Sequence, residues 1–335
     1  MIAGVGRIAD SGLIDAAPFL ASESACHLLR DACAESTWRV REVLDAQIVK
    51  ERPERRRTLR YRVVAERGSA VFETTWYAKH YRGSRGKRVY SLLHALQSLA
   101  PRILVPVPIG YSPKVKLLVM SALEGSSLSD ALADSERIDA CMKQAGGALA
   151  LVHKAEEPRL ADHLGAHGPR EEVGVLEVAR RRASETPSFL QTAGPFMELC
   201  SVVEEELAHE RPRGQVLLHR DLHPGQVVLR GDDGVGLLDW DDAALGEPEL
   251  DLGNLEAHLF LDDLQRQGSV NSAPRLVEAL RAGYLSQDEV SLDRIAAYRR
   301  AALLRLATLE RLADPSVSVV SWASLARTLI ETALI

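Results

Sequence analysis

Leu59, Tyr61 and Val63 alternate with Arg60 and Arg62, the period of a strand with one buried and one wet face. Strand-like runs at about 37–49 and 71–80 flank this segment, and the three together predict one antiparallel sheet. Ahead of them, Ala25, Leu28, Leu29 and Ala32 recur at helical spacing, which predicts a helix over 22–34 with Ser22 as its N-cap. Behind them, 84–99 reads as a helix stopped by Pro101, followed by short strands around 106–111 and 115–121.

Beyond Gly125 helical patterning takes over, opened by Ser127 and Asp130, which resemble a capping box. One β element interrupts it at about 214–239, where VLLH, QVVLR and VGLLD surround the turn Gly231-Asp232-Asp233-Gly234. The pattern predicts an α+β fold in three parts: an N-terminal helical extension over 1–36, a small antiparallel sheet lobe with one helix over 37–124, and a larger, mainly helical lobe over 125–335. The cleft between such lobes is the expected ligand site.

Composition narrows the class. A chain of 335 residues, 46% hydrophobic and 26% charged, can bury a full core without staples. The formal charge of −6 argues against a nucleic-acid partner. Cys26, Cys33, Cys141 and Cys200 form no C-x-x-C pair, which fits reduced thiols and a cytoplasmic address. Arg7, Asp10 and Asp15 interrupt the N-terminal apolar stretches before a signal-peptide core forms, and no segment reaches the length of a membrane span. His163 and His167 stand at i and i+4, but Gly165 and Gly168 oppose a stable helix there and no carboxylate completes a zinc triad.

The chemistry is concentrated in Leu218-His219-Arg220-Asp221-Leu222-His223-Pro224-Gly225-Gln226, which resembles the kinase catalytic loop H-R-D-x-x-x-x-N with glutamine last. A second carboxylate, Asp239, closes an apolar run 18 residues after Asp221, leaving room for one hairpin. Phosphoryl transfer needs a carboxylate to orient the acceptor hydroxyl and take its proton, the role that falls to Asp221. Mg²⁺ prefers oxygen ligands, so the amide of Gln226 and the carboxylate of Asp239 suit a metal bound to ATP phosphates. Trp76-Tyr77-Ala78-Lys79 ends a strand on a lysine, like the kinase lysine that grips phosphates, with Tyr77 on the same face.

HRDLHPGQVVL followed by LLDWDDAALGEPELDLGNL resembles the aminoglycoside phosphotransferase and choline kinase superfamily, of protein-kinase-like fold. The Gly225-Gln226 pair is similar to the maltokinase and glucosamine kinase branch. This resemblance implies ATP-dependent transfer of the γ-phosphoryl group to an alcohol hydroxyl of a sugar, amino sugar or amino alcohol, with ATP and Mg²⁺ as cofactors. It further implies that Asp251 and His219 support the loop. By the same resemblance Met120 to Glu124 form the interlobe hinge, where Ser121 and Leu123 read adenine through the backbone and Glu124 reaches the ribose. Arg55 and Arg56, in a basic turn where a glycine-rich loop is missing, are assigned to phosphate by side chain, although an ordinary exposed turn is the plainer reading of Arg55 to Arg57. His223, Asp241, Asp242 and His258 are assigned to the acceptor side.

Asp241, Asp242, Glu247 and Glu249 are compatible with a cationic acceptor, or alternatively are metal-side or surface groups that leave a neutral sugar open. Asn254, His258 and Asp262 fall on one helical stripe, for which solvation is favoured over an acceptor pocket. No acidic residue lies between His80 and Pro101, so the helix glutamate that normally pairs with the strand lysine is missing, and Glu42 and Glu73 stand as substitutes. That loss makes a catalytically weak pseudokinase the main alternative. A protein kinase is the lesser one, because no activation segment follows Asp239.

Overall fold

The computed structural model describes residues 13, 15–52, 55–97, 104–132, 137–155, 164–186, 193–208, 215–231, 234–313 and 318–334. The described chain forms two compact units, Met1–Ala100 with Leu104–Glu124, and Pro101–Ile103 with Gly125–Ile335.

The first unit is a five-stranded antiparallel sheet in the order β1-β2-β3-β5-β4. Its strands are β1 (Trp38–Arg52), β2 (Arg56–Arg67), β3 (Ala70–Tyr81), β4 (Pro108–Ser112) and β5 (Leu117–Ser121). Alternation does what the sequence pattern demands: Leu59, Tyr61, Val63 and Ala65 of β2 are all fully buried, while Arg60 and Arg62 point away. Two N-terminal helices, α1 (Ala17–Leu20) and α2 (Ser22–Ala32), pack Phe19, Ala25 and Leu29 into this face beside Trp76, Ala78 and Val119. The Tyr61 hydroxyl donates to the Phe19 carbonyl at 3.0 Å, so this buried polar atom is satisfied.

Local details differ from the sequence expectations. The N-cap of α2 is Ala21, not Ser22, and Ser22 is the first helical residue. Arg56 and Arg57 are not an exposed turn: they open β2 at 8% and 6% exposure. Arg57 donates to Glu51 at 2.6 Å and lies 5.9 Å from the Phe19 ring, which in turn stacks on His80 at 4.7 Å. Arg55 stays exposed. The helix α3 spans Arg85–Gln97, and Pro101 lies outside the described residues.

The second unit is helical apart from short strands. Ser127 caps α4 (Leu128–Ala131) by accepting from the Asp130 amide at 3.1 Å, while its hydroxyl contacts the Asp130 carboxylate at 2.7 Å. There follow α5 (Ile138–His153), α6 (Pro169–Glu185), α7 (Ala193–Ala208), α8 (Glu249–Gln267), α9 (Ala273–Leu285), α10 (Leu292–Ala307) and α11 (Trp322–Ala333). The expected β element consists of β7 (Val216–Leu218), β8 (Val227–Leu229) and β9 (Val235–Leu237). Two strands too short for a periodic signal complete it: β6 (Ser126–Ser127) pairs with β8, and β10 (Ala244–Gly246) pairs with β7. Asp232 and Asp233 of the predicted turn lie outside the described residues.

At the centre runs α8, buried on nearly every side from Glu249 to Leu264. Helices α5 and α9 cross at close range because Gly146 and Gly283 have no side chain. A Cβ at Gly146 would strike the Leu280 carbonyl, and one at Gly283 the Lys143 carbonyl.

Candidate active site

In the sheet unit, Lys79 lies near the end of β3 at 7% exposure, paired in register with Thr58 and Leu118. Trp76 and Ala78 face the core, so Tyr77 and Lys79 share the opposite face. The register excludes both substitute acids for this lysine. Glu73 pairs with Val64, as does Glu42, whereas Lys79 pairs with Thr58 six residues along, a separation of about 20 Å at strand rise. Glu73 instead faces Arg62 at 3.6 Å, and Glu42 is exposed.

The strand β5 ends at Ser121, whose amide donates to the Val107 carbonyl and whose hydroxyl accepts from the Val107 amide, both at 2.9 Å. Ala122 donates to the Thr75 carbonyl at 3.2 Å. The sheet therefore consumes the amides of Ser121 and Ala122. Leu123 follows, half-buried, and Glu124 is exposed.

In the helical unit, the segment after β7 is held by one buried carboxylate. Asp251, in the first turn of α8 and fully buried, accepts from the amides of His219 and Arg220 with its two oxygens, each at 2.7 Å. Its Oδ2 also lies 3.2 Å from His153 Nε2 at the end of α5, and His153 Nδ1 lies 2.9 Å from the Tyr284 hydroxyl of α9. Burial pushes the Asp251 carboxyl up, but the hydrogen bond and charge of His153, with His219, outweigh it and hold the group below the ordinary range. Arg220 takes φ +70°, left-handed backbone that a non-glycine residue adopts at a cost. Two charge-assisted hydrogen bonds flanking that residue offset the strain.

Further bonds fix the rest of the loop. His219, fully buried, donates from Nε2 to the Leu238 carbonyl at 2.6 Å and packs against Trp240 at 4.8 Å. Asn254, one turn beyond Asp251 on α8, donates to the Leu222 carbonyl at 2.7 Å and accepts from Arg305 at 2.5 Å. Asp221 thus lies between two backbone anchors, Arg220 and Leu222, both supplied by α8. The solvated reading of the stripe through Asn254 is therefore corrected: Asn254 is 4% exposed and braces the loop. His258, the next turn, is half-buried with its ring 5.3 Å from that of His223. Asp262 is also half-buried and ion-pairs with Arg266.

Gln226 ends a single 3₁₀ turn, Pro224–Gln226, and its main chain bonds Leu238 across the hairpin at 2.9 Å. This pairing brings the Gln226 amide within 3.4 Å of Asp239 Oδ2. Asp239 itself adopts left-handed backbone, φ 61° and ψ 55°, which breaks the strand direction after β9. The contact is made by the amide nitrogen, which donates to the carboxylate; the amide oxygen of the same group, beside Asp239, is the atom type that would serve Mg²⁺ together with the carboxylate. Among the described residues no three His, Cys, Asp or Glu side chains gather as a metal cluster.

The acids that follow have different fates. Asp241 is 1% exposed and Asp242 half-buried, both in the 3₁₀ turn Trp240–Asp242. Glu247 is gripped by Arg294 at 2.6 and 3.0 Å and by the Tyr298 hydroxyl at 2.9 Å. Glu249, 2% exposed, accepts from the Ser291 amide at 3.0 Å. Neither glutamate is the surface or acceptor-facing group that the sequence suggested. His167 bonds Glu172 at 2.9 Å, and His163 lies outside the described residues.

Sequence reasoning missed His153, Tyr284 and Arg305. His153 had left a signal, since it continues the apolar stripe Ala145-Leu149 at i+4 spacing, where a polar side chain needs a buried partner.

No described helix is long and apolar enough to cross a membrane. No curated protein matches the chain. Among solved structures, a spectinomycin phosphotransferase crystallised with ADP and spectinomycin is 14% identical, with a TM-score of 0.61, covering 93% of this chain and 97% of its own. A macrolide 2'-phosphotransferase from Brachybacterium faecium is 18% identical, with a TM-score of 0.53 and coverage of 91% and 97%. An ethanolamine kinase from Plasmodium vivax is 12% identical, with a TM-score of 0.53 and coverage of 87% and 82%. These likenesses establish the protein-kinase-like phosphotransferase fold. The profile of the phosphotransferase enzyme family matches residues 18–304, and the chain belongs to that family.

Proposed function

We propose that the protein transfers the γ-phosphoryl group of ATP to a hydroxyl of a small molecule, as a cytoplasmic enzyme. The observation that carries this reading is the juxtaposition of Gln226 and Asp239, whose side chains meet through a 3.4 Å hydrogen bond from the amide nitrogen to Oδ2, next to a loop clamped on both sides of Asp221. Gln226 and Asp239 would hold Mg²⁺, which supplies charge neutralisation at the phosphates when bound. Asp221 orients the acceptor hydroxyl and takes its proton as the new P–O bond forms. Lys79 neutralises phosphate charge as a buried point charge on a rigid strand. With the Ser121 and Ala122 amides used inside the sheet, Leu123 is the hinge residue that reads adenine, and Glu124 reaches the ribose. Arg55 remains the exposed cation of its turn and Arg56 is built into β2, so phosphate contact is assigned to Arg55.

A second reading, a nucleotide-binding pseudokinase, is favoured by one observation: the register puts Glu42 and Glu73 out of reach of Lys79, and α3 carries no acid. Thermal shift with ATP and Mg²⁺, paired with a transfer assay over sugars, amino sugars, aminoglycosides and amino alcohols, separates the two. Enzymes shift and transfer; a pseudokinase shifts without transfer to any acceptor.

A further inference from the structure

Helix α8 meets the backbone around Asp221 with two side chains one turn apart and of opposite chemistry. The Asp251 carboxylate accepts, taking the amides of His219 and Arg220. Asn254 does the reverse on the far side, donating its amide nitrogen to the Leu222 carbonyl at 2.7 Å. A side-chain amide has two orientations, because half a turn exchanges its oxygen and nitrogen. In the wrong one the oxygen faces the Leu222 carbonyl, and two acceptors oppose each other. Asn254 is 4% exposed, so bulk water does not mend that clash.

Arg305 decides between the two orientations. It stands in the last turn of α10, and its Nη2 donates to Asn254 Oδ1 at 2.5 Å. A guanidinium has donors and no acceptor, whereas a carbonyl accepts and does not donate. Held between them, the amide has one arrangement that satisfies both ends: oxygen toward Arg305, nitrogen toward Leu222. The two helices are placed for this contact. Beside Asn254, Gly253 lets α10 approach α8, since a Cβ there would lie 2.6 Å from the Arg299 amide nitrogen. The Arg305 carbonyl accepts from the Thr308 hydroxyl at 2.8 Å, which fixes the end of α10 that carries the guanidinium.

The Leu222 carbonyl is the joint between two parts of the site. It follows Asp221 directly in the chain and precedes the 3₁₀ turn Pro224–Gln226. Leu222 buries its side chain at 1% exposure, and the bond to its carbonyl sets the direction in which the chain leaves toward Gln226. We infer that Arg305 is a positioning residue: by fixing the Asn254 amide it fixes the Leu222 carbonyl, and with it the placement of Asp221 relative to Gln226. The inference rests on the proposed phosphotransferase activity and adds to it a residue outside the loop. Arg305 acts through Asn254 and not on a reactant.

The test uses the full chain with ATP, Mg²⁺ and the compound that wild type phosphorylates fastest among sugars, amino sugars, aminoglycosides and amino alcohols. Arg305→Met, which keeps much of the length and loses every donor, is expected to lower kcat about tenfold or more while the KM for ATP stays within about twofold. Arg305→Lys keeps a donor within reach and is expected to recover kcat to within about threefold of wild type. Asn254→Ala removes the relay, so adding Arg305→Met to it is expected to cost less than about twofold more. A residue that merely stabilised α10 would instead multiply its loss onto that of Asn254→Ala. An ATP–Mg²⁺-induced thermal shift equal to that of wild type certifies that each variant is folded. Where Arg305→Met does not fold, Asn254→Asp decides: it keeps Arg305 as a partner, loses the donor to Leu222, and is expected to lower kcat by the same factor. Wild-type kcat in the deciding variant, or multiplied losses in the double variant, overturns the inference and leaves the phosphotransferase reading standing. Transfer by wild type to no acceptor overturns both.

Discussion

Arg220 and Asp239 both adopt left-handed backbone, at φ 70° and 61°, and they sit on either side of the hairpin that carries Gln226. Left-handed φ costs an L-residue roughly 1–2 kcal/mol, a cost met here by Asp251 and by strand pairing. Arg220→Gly should therefore be more stable than Arg220→Ala by about 1 kcal/mol in urea unfolding, because only glycine escapes the strain. Equal stability would show that the loop is unstrained. His80 provides a pH test of the sheet unit. Burial, then the charges of Arg57 and Lys116, lower its pKa from 6.5 to about 4. The unfolded chain binds the proton that the folded chain refuses, so this contribution is complete above pH 6.5 and is lost as pH falls toward 4. The loss amounts to at most about 3 kcal/mol, and His80→Gln should flatten the Tm profile over that window. A parent profile already flat between those values would contradict the assignment.

At the scale of elements, the chain Tyr284–His153–Asp251 ties α9 and α5 to the loop that carries Asp221. Replacing His153 by leucine removes one hydrogen bond and the nearby imidazole from the fully buried Asp251 and leaves it only the two loop amides, at a cost of about 1–3 kcal/mol. Turnover should fall while the KM for ATP holds, because the loop is misplaced but the nucleotide contacts are not. A loss of stability with kcat unchanged would make the chain merely architectural. Gly283→Ala forces a methyl group into the Lys143 carbonyl where α9 crosses α5, and should destabilise by about 1–3 kcal/mol by chemical denaturation.

The same scale explains what the sequence could and could not tell. The strands of the sheet unit were legible because one face is buried and the other wet, so Leu59, Tyr61 and Val63 announce the period. The order and spacing of Asp221, Gln226 and Asp239 were legible because a hairpin fixes them. The helix α8 was not, since burial on every side erases amphipathic contrast, and Asn254 was assigned to water when it holds the loop. Acids have no intrinsic signal for partner choice: Glu247 and Glu249 look like an acceptor cluster until Arg294, Tyr298 and the Ser291 amide are seen to occupy them. Strands of two or three residues, such as β6 and β10, are set by tertiary pairing and leave no periodicity to detect.

At the scale of the whole molecule, the proposed division of labour gives nucleotide contacts to the sheet unit and the chemistry to the loop clamped by α8, with the trio Asp221, Gln226 and Asp239 at its centre. The most direct measurement is ATP-dependent transfer to the best acceptor of the panel by wild type, Asp221→Asn and Asp239→Asn, with ATP–Mg²⁺ binding followed in parallel by thermal shift. Asp221→Asn should keep the nucleotide-induced shift and lose turnover by about 10²–10⁴-fold, whereas Asp239→Asn should lose both turnover and the Mg²⁺-dependent part of the shift. Wild-type turnover in either variant would contradict the assignment of the catalytic centre.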